Sequence, residues 1–444
     1  MLEAILVGET KTRGAARFFA MSFIGIFSFF VTFELSGKDT FLVNHVVGWV
    51  RVGLAPVMKY IIFINAIISI LDLYIRRARF FRNGANIFMS TAKMVGFVLL
   101  TMVVFNVGPG FLLADGVGPT VLFKILIPIT ITVVIAALFL PFLLDYGLID
   151  FFGVLARPIM RPVFKAPGIS AVIAVSAFLG NFSIGHIAVD MLQRNGRLTL
   201  RESVLIGTGF CTVSVGFLML LSSSFGLGEH WNFYFWTAFL ITILVTIVQA
   251  RIWPTSAKPD ECMEGCTPNL EKEFKADLFK NAYHEGVTVA QNQKSLISRE
   301  TIILKETLLI VAAFATGVNF FAVAGILINQ YTPLIQYFAY MFHPLLMLIQ
   351  IPAADILVAS QACAISFLDV TLPMIVAAQG GEMAMATRYV MAVVPVSAII
   401  FLSGFIPCIM STSIRVSLLE MIVIWFERII LTILIAGIFA LLYF

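Results

Sequence analysis

Leu148-Ile149-Asp150-Phe151-Phe152 returns 186 positions later as Leu334-Ile335-Gln336-Tyr337-Phe338, and the same shift sets Pro158 on Pro344. Closing up one residue, to 185, sets Pro167 on Pro352, Asn181 on Ser366, Phe182 on Phe367, Gly196 on Gly381 and Thr212 on Ser397. The identities are few, but the landmarks keep their order. A duplicated membrane unit with one copy turned over is the design of secondary transporters, whose solute site lies between the copies near the bilayer midplane.

Around this repeat, 60% of residues are apolar and 12% charged, with uncharged runs near the roughly 20 residues that span a bilayer. The pattern predicts an all-α polytopic membrane protein: about nine transmembrane helices plus two re-entrant helical hairpins, in two inverted-topology repeats. The spans centre near residues 26, 66, 96, 133, 214, 243, 316, 397 and 430. With the N-terminus cytoplasmic, 22 of the 29 Lys and Arg lie inside, against Lys38, Arg51 and Lys59 outside, as the positive-inside rule requires. The net charge of +4 therefore reports cytoplasmic loops, and no nucleic-acid partner is expected. Residues 1–33 read as a first span and not as a removable signal.

Orientation from charge turns the repeats opposite ways. Residues 148–165 are basic, whereas their counterpart 334–350 has no Lys or Arg. Residues 168–195 and 353–380 then begin and end on one side, each long enough for two half-helices but not for two crossings. The chain divides into a three-span scaffold (1–120), a first repeat (121–252: span, interfacial helix, hairpin 168–195, broken span, span), a linker (253–303) and an inverted second repeat (304–444, hairpin 353–380). The linker, with mixed charges, reads as a solvated segment carrying one amphipathic helix.

A hairpin tip in mid-membrane leaves backbone groups unpaired, which is tolerated where protein or a water-filled cavity surrounds them. The first tip reads Leu179-Gly180-Asn181-Phe182-Ser183-Ile184-Gly185-His186 and the second Ala364-Ile365-Ser366-Phe367-Leu368-Asp369-Val370-Thr371. Each precedes a span with an interrupted middle: Gly207, Gly209, Thr212, Ser214 and Gly216 in one, Pro395, Ser397, Gly404 and Pro407 in the other. Half-helix ends facing each other there suit anionic groups at N-termini and small cations at C-termini. Ser183, His186, Ser366, Asp369, Thr371, Arg388 and Ser397 are the candidate solute ligands; Asn181, Thr212 and Ser214 are the candidate ligands of a coupling cation. Polar residues in apolar spans also bond neighbouring helices, so both readings stand for each. His186 binds solute, relays a proton or caps the hairpin. Arg388 holds an anionic group or pairs with Glu382 or Asp369. Glu420, Glu427 and Arg428 share the last span and read as scaffold.

The order of span, interfacial helix, hairpin, broken span and span, twice and inverted over residues 121–444, resembles the nucleoside-recognition or gate domain superfamily. Concentrative nucleoside transporters and the gate regions of ferrous-iron permeases share this order, and the similarity runs to a bacterial branch of similar length. The transporters' first hairpin carries N-x-x-x-G-Q-T-E, which meets Asn181-Phe182-Ser183-Ile184-Gly185-His186-Ile187-Ala188 here. Asn and Gly match; the nucleobase-reading triplet does not, and the Asn-Glu-Phe ribose pattern has no counterpart in the second half. The resemblance implies a Na+ position at Asn181 and Ser214, a bacterial inner-membrane location, and gate-domain partners or homo-oligomers.

These readings converge on a secondary transporter of a small polar organic solute, nucleoside-like, amino acid or peptide, driven by Na+ or H+ and using no other cofactor. The alternative is a non-transporting subunit that works with a separate gate-domain partner. An enzyme is not expected: there is no G-x-x-x-x-G-K-[ST] loop, and His284-Glu285 lacks the second His of H-E-x-x-H, Thr288 standing there. Cys262 and Cys266 have no nearby companion for a zinc site and read as free thiols.

Overall fold

A computed structural model describes residues 2–35, 38–75, 84–179, 182–271, 277–293, 296–379 and 381–444. Their regular secondary structure is helical apart from one antiparallel ribbon, Thr32–Leu35 against Lys38–Phe41, with Thr32 opposite Phe41. The ribbon is an addition to the all-helical expectation, built from Thr and Phe, which favour extended backbone. The expected span centres near 26, 66, 96, 133, 243, 316 and 430 fall in Leu2–Phe30, Ala55–Ile75, Gly84–Phe105, Ile127–Leu144, Trp231–Gln249, Leu296–Tyr331 and Leu418–Tyr443. The centre near 214 falls between Leu200–Gly209 and Val215–Ser224, and that near 397 at the end of Met385–Ala398.

By length and composition, two helices among the described residues are able to cross a bilayer, Gly228–Gln249 and Leu418–Tyr443. If each counts as one span, three bent pairs bring the number to five: His45–Gly53 with Ala55–Leu71, Ser90–Phe105 with Gly110–Phe123, and Thr130–Leu144 with Leu148–Phe164. The chain is a helical multi-pass membrane protein. The nine spans and two hairpins of the sequence reading are finer than this count, which covers the described residues alone.

Small residues set the closest approaches between helices, as they do where lipid supplies no hydrophobic drive to associate. Gly96 packs on Thr316, where an added Cβ would stand 2.0 Å from the carbonyl oxygen. Beside it the Asn319 amide donates to Gly96 O at 2.9 Å, and the Ser69 and Thr316 hydroxyls bond at 3.1 Å. The N-terminal helices are thereby fastened to Leu296–Tyr331.

The linker departs from the expected solvated segment. Its helix Leu278–Asn292 packs on Leu148–Ile159 and Leu2–Phe30, and its leading stretch is strapped to the turn between Phe182–Arg194 and Leu200–Gly209. Asn269 N–H donates to Gly196 O (2.8 Å), Leu200 N–H to Glu261 O (2.8 Å) and Arg201 N–H to Pro259 O (3.1 Å). Glu271 accepts from Gly168 N–H at 2.8 Å and from Arg161 Nε at 3.1 Å, with Arg157 Nε at 3.4 Å. Arg161 extends Nη1 to Glu202 at 2.6 Å, and Lys258 reaches Glu420 at 2.7 Å. Burial raises the Glu271 carboxyl above its ordinary range, against the opposing pull of Arg161. The sequence reading placed Arg157, Arg161, Lys258 and the linker in cytoplasmic loops; folding gives these cations buried or half-buried carboxylate partners.

Candidate functional site

The first interrupted helix starts at a capping box, Thr199 receiving Glu202 N–H and Glu202 receiving Thr199 N–H. Two reciprocal bonds satisfy donors that a helix start otherwise leaves open. Leu200–Gly209 ends in a tight turn, Thr212 N–H donating to Phe210 O at 2.9 Å. The helix resumes at Val215, where Ser214 Oγ accepts Phe217 N–H at 3.4 Å. Ser214→Ala is expected to cost about 1 kcal/mol, the usual worth of an N-cap, read as a lowered thermal midpoint of the purified protein.

The second interrupted helix, Met385–Ala398, contains Pro395. A proline removes one rung of the hydrogen-bond ladder, and the chain leaves the helix soon after. Ile399 has φ 62°, a left-handed conformation costly for a β-branched residue, and Ile400 N–H folds back onto Ala398 O at 2.6 Å. Helix resumes over Phe405–Met410.

The two interruptions touch. Thr212 Oγ1 donates to Val396 O at 3.1 Å. Arg428, wholly buried on Leu418–Tyr443, donates Nε to Ser397 O (2.8 Å) and Nη1 to Gln249 Oε1 (2.5 Å) and Thr246 Oγ1 (3.2 Å). Thr432 Oγ1 donates to Ser397 Oγ at 2.8 Å. The Thr246 hydroxyl has one proton and two carbonyls at 2.8 Å, Gly209 O and Thr242 O. Gln249 is fixed the right way round by its Nε2, which donates to Thr208 Oγ1 at 2.7 Å. Beside this crossing lies a cavity of about 190 Å³ lined by Gly209, Phe210, Thr212, Thr242 and Thr246 together with apolar side chains.

Ile169–Leu179 packs on Phe182–Arg194, and Ile356–Ile365 on Leu372–Gln379. Both pairs bear on the second interruption. From the first, Phe182 meets Phe401 (ring centroids 5.3 Å apart) and His186 meets Phe405 (4.5 Å), while His186 Nε2 bonds Gly207 O at 3.0 Å. Lower on that helix Asp190 accepts Ser413 N–H at 2.5 Å and pairs with Arg194 at 2.9 Å. From the second, Phe367 O and Leu368 O accept Leu402 N–H (2.7 Å) and Ser403 N–H (3.0 Å). Asp369 closes this join, receiving Thr371 N–H at 2.7 Å and the hydroxyls of Thr371 and Ser403.

The candidate ligands therefore separate. Thr212 and Ser397 lie at the crossing; Asp369 and Thr371 lie at the second tip with Ser403. Ser366 turns back to Cys363 O at 2.7 Å. Among the described residues, Ser183 Oγ and His186 Nδ1 are buried without a hydrogen-bond partner. Arg388 stands apart, its Nη1 3.3 Å from where a Cβ on Gly226 would sit, and Asp369 is occupied by hydroxyls instead of pairing with it. Asn181 lies outside the described residues. Arg428, Gln249, Thr246 and Ser403 join the site without having been candidates. The available signal was Arg428 itself, an arginine mid-way along an apolar helix, where an ionisable residue points to function by default.

Cys262 and Cys266 direct their thiols at Gly196 O (3.6 Å) and Arg194 O (3.0 Å). A second cavity, of about 470 Å³, opens between the linker helix and the base of the first repeat, lined by Asp150, Asn195, Arg197, Asn269, Glu285 and Thr288 among others.

No family model matches the sequence. An uncharacterised protein of Alkalihalophilus pseudofirmus is 26% identical over 447 residues, covering 96% of each chain. Among solved structures, a variant of the concentrative nucleoside transporter CNTnw in an outward-facing state has a TM-score of 0.36 and 12% identity, covering 97% of this chain and 91% of that one. CNTnw in an inward-facing, substrate-bound state has a TM-score of 0.37 and 12% identity, covering 98% and 96%.

Proposed function

We propose that the chain is a secondary transporter of a small polar organic solute, coupled to Na+ or H+, with its site where the two hairpin tips meet the two interrupted helices. The observation that carries this reading is the meeting itself: Thr212 Oγ1 on Val396 O at 3.1 Å, with Phe182 and Phe367 bearing on the same unwound segment. Unwound backbone in the middle of a helical membrane protein is costly unless it serves a cavity or a ligand. Two such segments in contact, each flanked by a hairpin, are the parts from which alternating-access sites are made. Asp369, Thr371, Ser366, His186, Ser183 and Ser397 are the proposed solute contacts, Arg388 a contact made on closure, and Asn181, Thr212 and Ser214 the proposed ligands of the coupling cation.

The test is thermal stabilisation of the purified protein by nucleosides, amino acids, dipeptides and carboxylates, with and without Na+, at two pH values. A solute at about 100 times its Kd stabilises by roughly 2.7 kcal/mol. The expected hit depends on Na+ or pH and is lost in Asp369→Ala. A hit that survives unchanged in both Asp369→Ala and Asn181→Ala removes the site from the hairpin tips.

A further inference from the structure

We propose that the crossing of the interrupted helices is a cation site by construction and that the chain fills it with its own guanidinium, that of Arg428. The charge balance is the argument. Ser397 O belongs to the last turn of Met385–Ala398, and Gly209 O closes Leu200–Gly209. Each helix C-terminus carries about half a negative charge, and the Thr212–Val396 bond brings the two ends together. Their sum is close to one unit, the charge that a single monovalent cation cancels. Freed carbonyls at such ends are what a bound Na+ takes up in transporters of broken-helix design.

Arg428 supplies that charge permanently. It bonds Ser397 O directly and reaches the Gly209 end through the Thr246 hydroxyl, which it shares with Thr242 O. All its partners are neutral oxygens: a carbonyl, a hydroxyl and the Gln249 amide. Among the described residues no carboxylate forms an ion pair with it. A buried guanidinium without a carboxylate is expensive, and the two helix ends are the negative field that holds it. Among the described residues Nη2 is buried with no hydrogen-bond partner.

This inference rests on the transporter reading only for its consequence, that Na+ does not couple at the crossing. The reading then leaves H+, or Na+ held by Asn181 and Ser214 without Thr212, whose hydroxyl is given to Val396 O at the crossing. The experiment needs no solute, so its failure and the failure of the transporter reading are separable. Arg428→Ala vacates the site, and the thermal midpoint is expected to fall on the order of 5 °C. Methylguanidinium at about 10 mM, far below the molar range at which such salts denature, is expected to restore at least half of that fall. It should leave the wild type unchanged, and likewise Ile433→Ala, a cavity variant at a buried residue on the same helix. Folded Arg428→Ala that methylguanidinium does not restore overturns the proposal. Should Arg428→Ala not fold, the comparison passes to Arg428→Lys, which keeps the charge, and Arg428→Met, which keeps the bulk. Lys nearer to wild type supports a resident cation, and Met equal to or nearer than Lys overturns it.

Discussion

Arg161→Met is expected to destabilise the protein by roughly 3 kcal/mol, the scale for removing one partner from a buried ion pair. The side chain is 32% exposed, but the carboxylates it serves are not: Glu202 is 2% and Glu271 7% exposed. The arginine leaves its own environment cheaply, and the loss comes from the two acids left behind. Glu202 also caps Leu200–Gly209, and Glu271 also holds Gly168 N–H at the start of the first hairpin. The variant therefore loosens the strap, the hairpin base and the first interrupted helix together. Its pH dependence has a definite sign. A carboxyl whose folded pKa is raised binds a proton more readily folded than unfolded, so the fold gains stability as pH falls toward the ordinary value of 4.5. Removing Arg161 takes away a lowering influence on Glu271 and raises it further. The deficit should be smaller at about pH 5.5 than at about pH 8, read by thermal unfolding in a common detergent. A pH-independent deficit would assign the effect to lost packing of the arginine stem.

The contrast between this cluster and the interruptions explains what the sequence discloses. Helix breaks are local. Gly207 and Gly209 in one span and Pro395 in the other mark where a ladder cannot continue, and the chain leaves the helix after Gly209 and after Ala398. The capping boxes at Thr199/Glu202 and Ser417/Glu420 are equally local, a hydroxyl and a carboxylate three residues apart, and were open to reading on the same terms. Arg161 is different, since its partners lie 41 and 110 residues away. Nothing within one helical turn marks a loop acid as the seat of a hairpin.

Arg428 shows the same limit from inside the membrane. Its neighbour Glu427 cannot face it on a helix, and the residues that do receive it sit on Trp231–Gln249 and Met385–Ala398. Scaffold is the natural reading of an arginine with no carboxylate within a helical turn that can face it. Only the convergence of two helix C-termini, invisible in either helix alone, gives it a task.

Gly147→Ala is expected to be among the most damaging methyls that can be added to the linker face, at roughly 2–5 kcal/mol. Two costs combine. Gly147 has φ 89°, where an L residue pays about 1–2 kcal/mol. The new Cβ would also stand 2.0 Å from Gly286 O, a backbone atom of Leu278–Asn292 that cannot rotate away, adding about 1–3 kcal/mol of overpacking. Two further alanines separate the terms. Gly265 has φ 84° with nothing near its would-be Cβ, so Gly265→Ala reports the conformational cost alone. Gly286→Ala meets the Phe18 ring at 2.7 Å and Gly147 O at 3.0 Å, and an aromatic side chain can give. The expected order of thermal midpoints is Gly265→Ala highest, Gly286→Ala next and Gly147→Ala lowest. In Gly147→Ala the strain is relieved by lifting the linker helix, so limited proteolysis should cut residues 278–292 faster than in the wild type. If Gly147→Ala and Gly265→Ala melt together, the close contact of the linker helix with the first repeat contributes nothing, and the linker is the solvated segment that its charges first suggest.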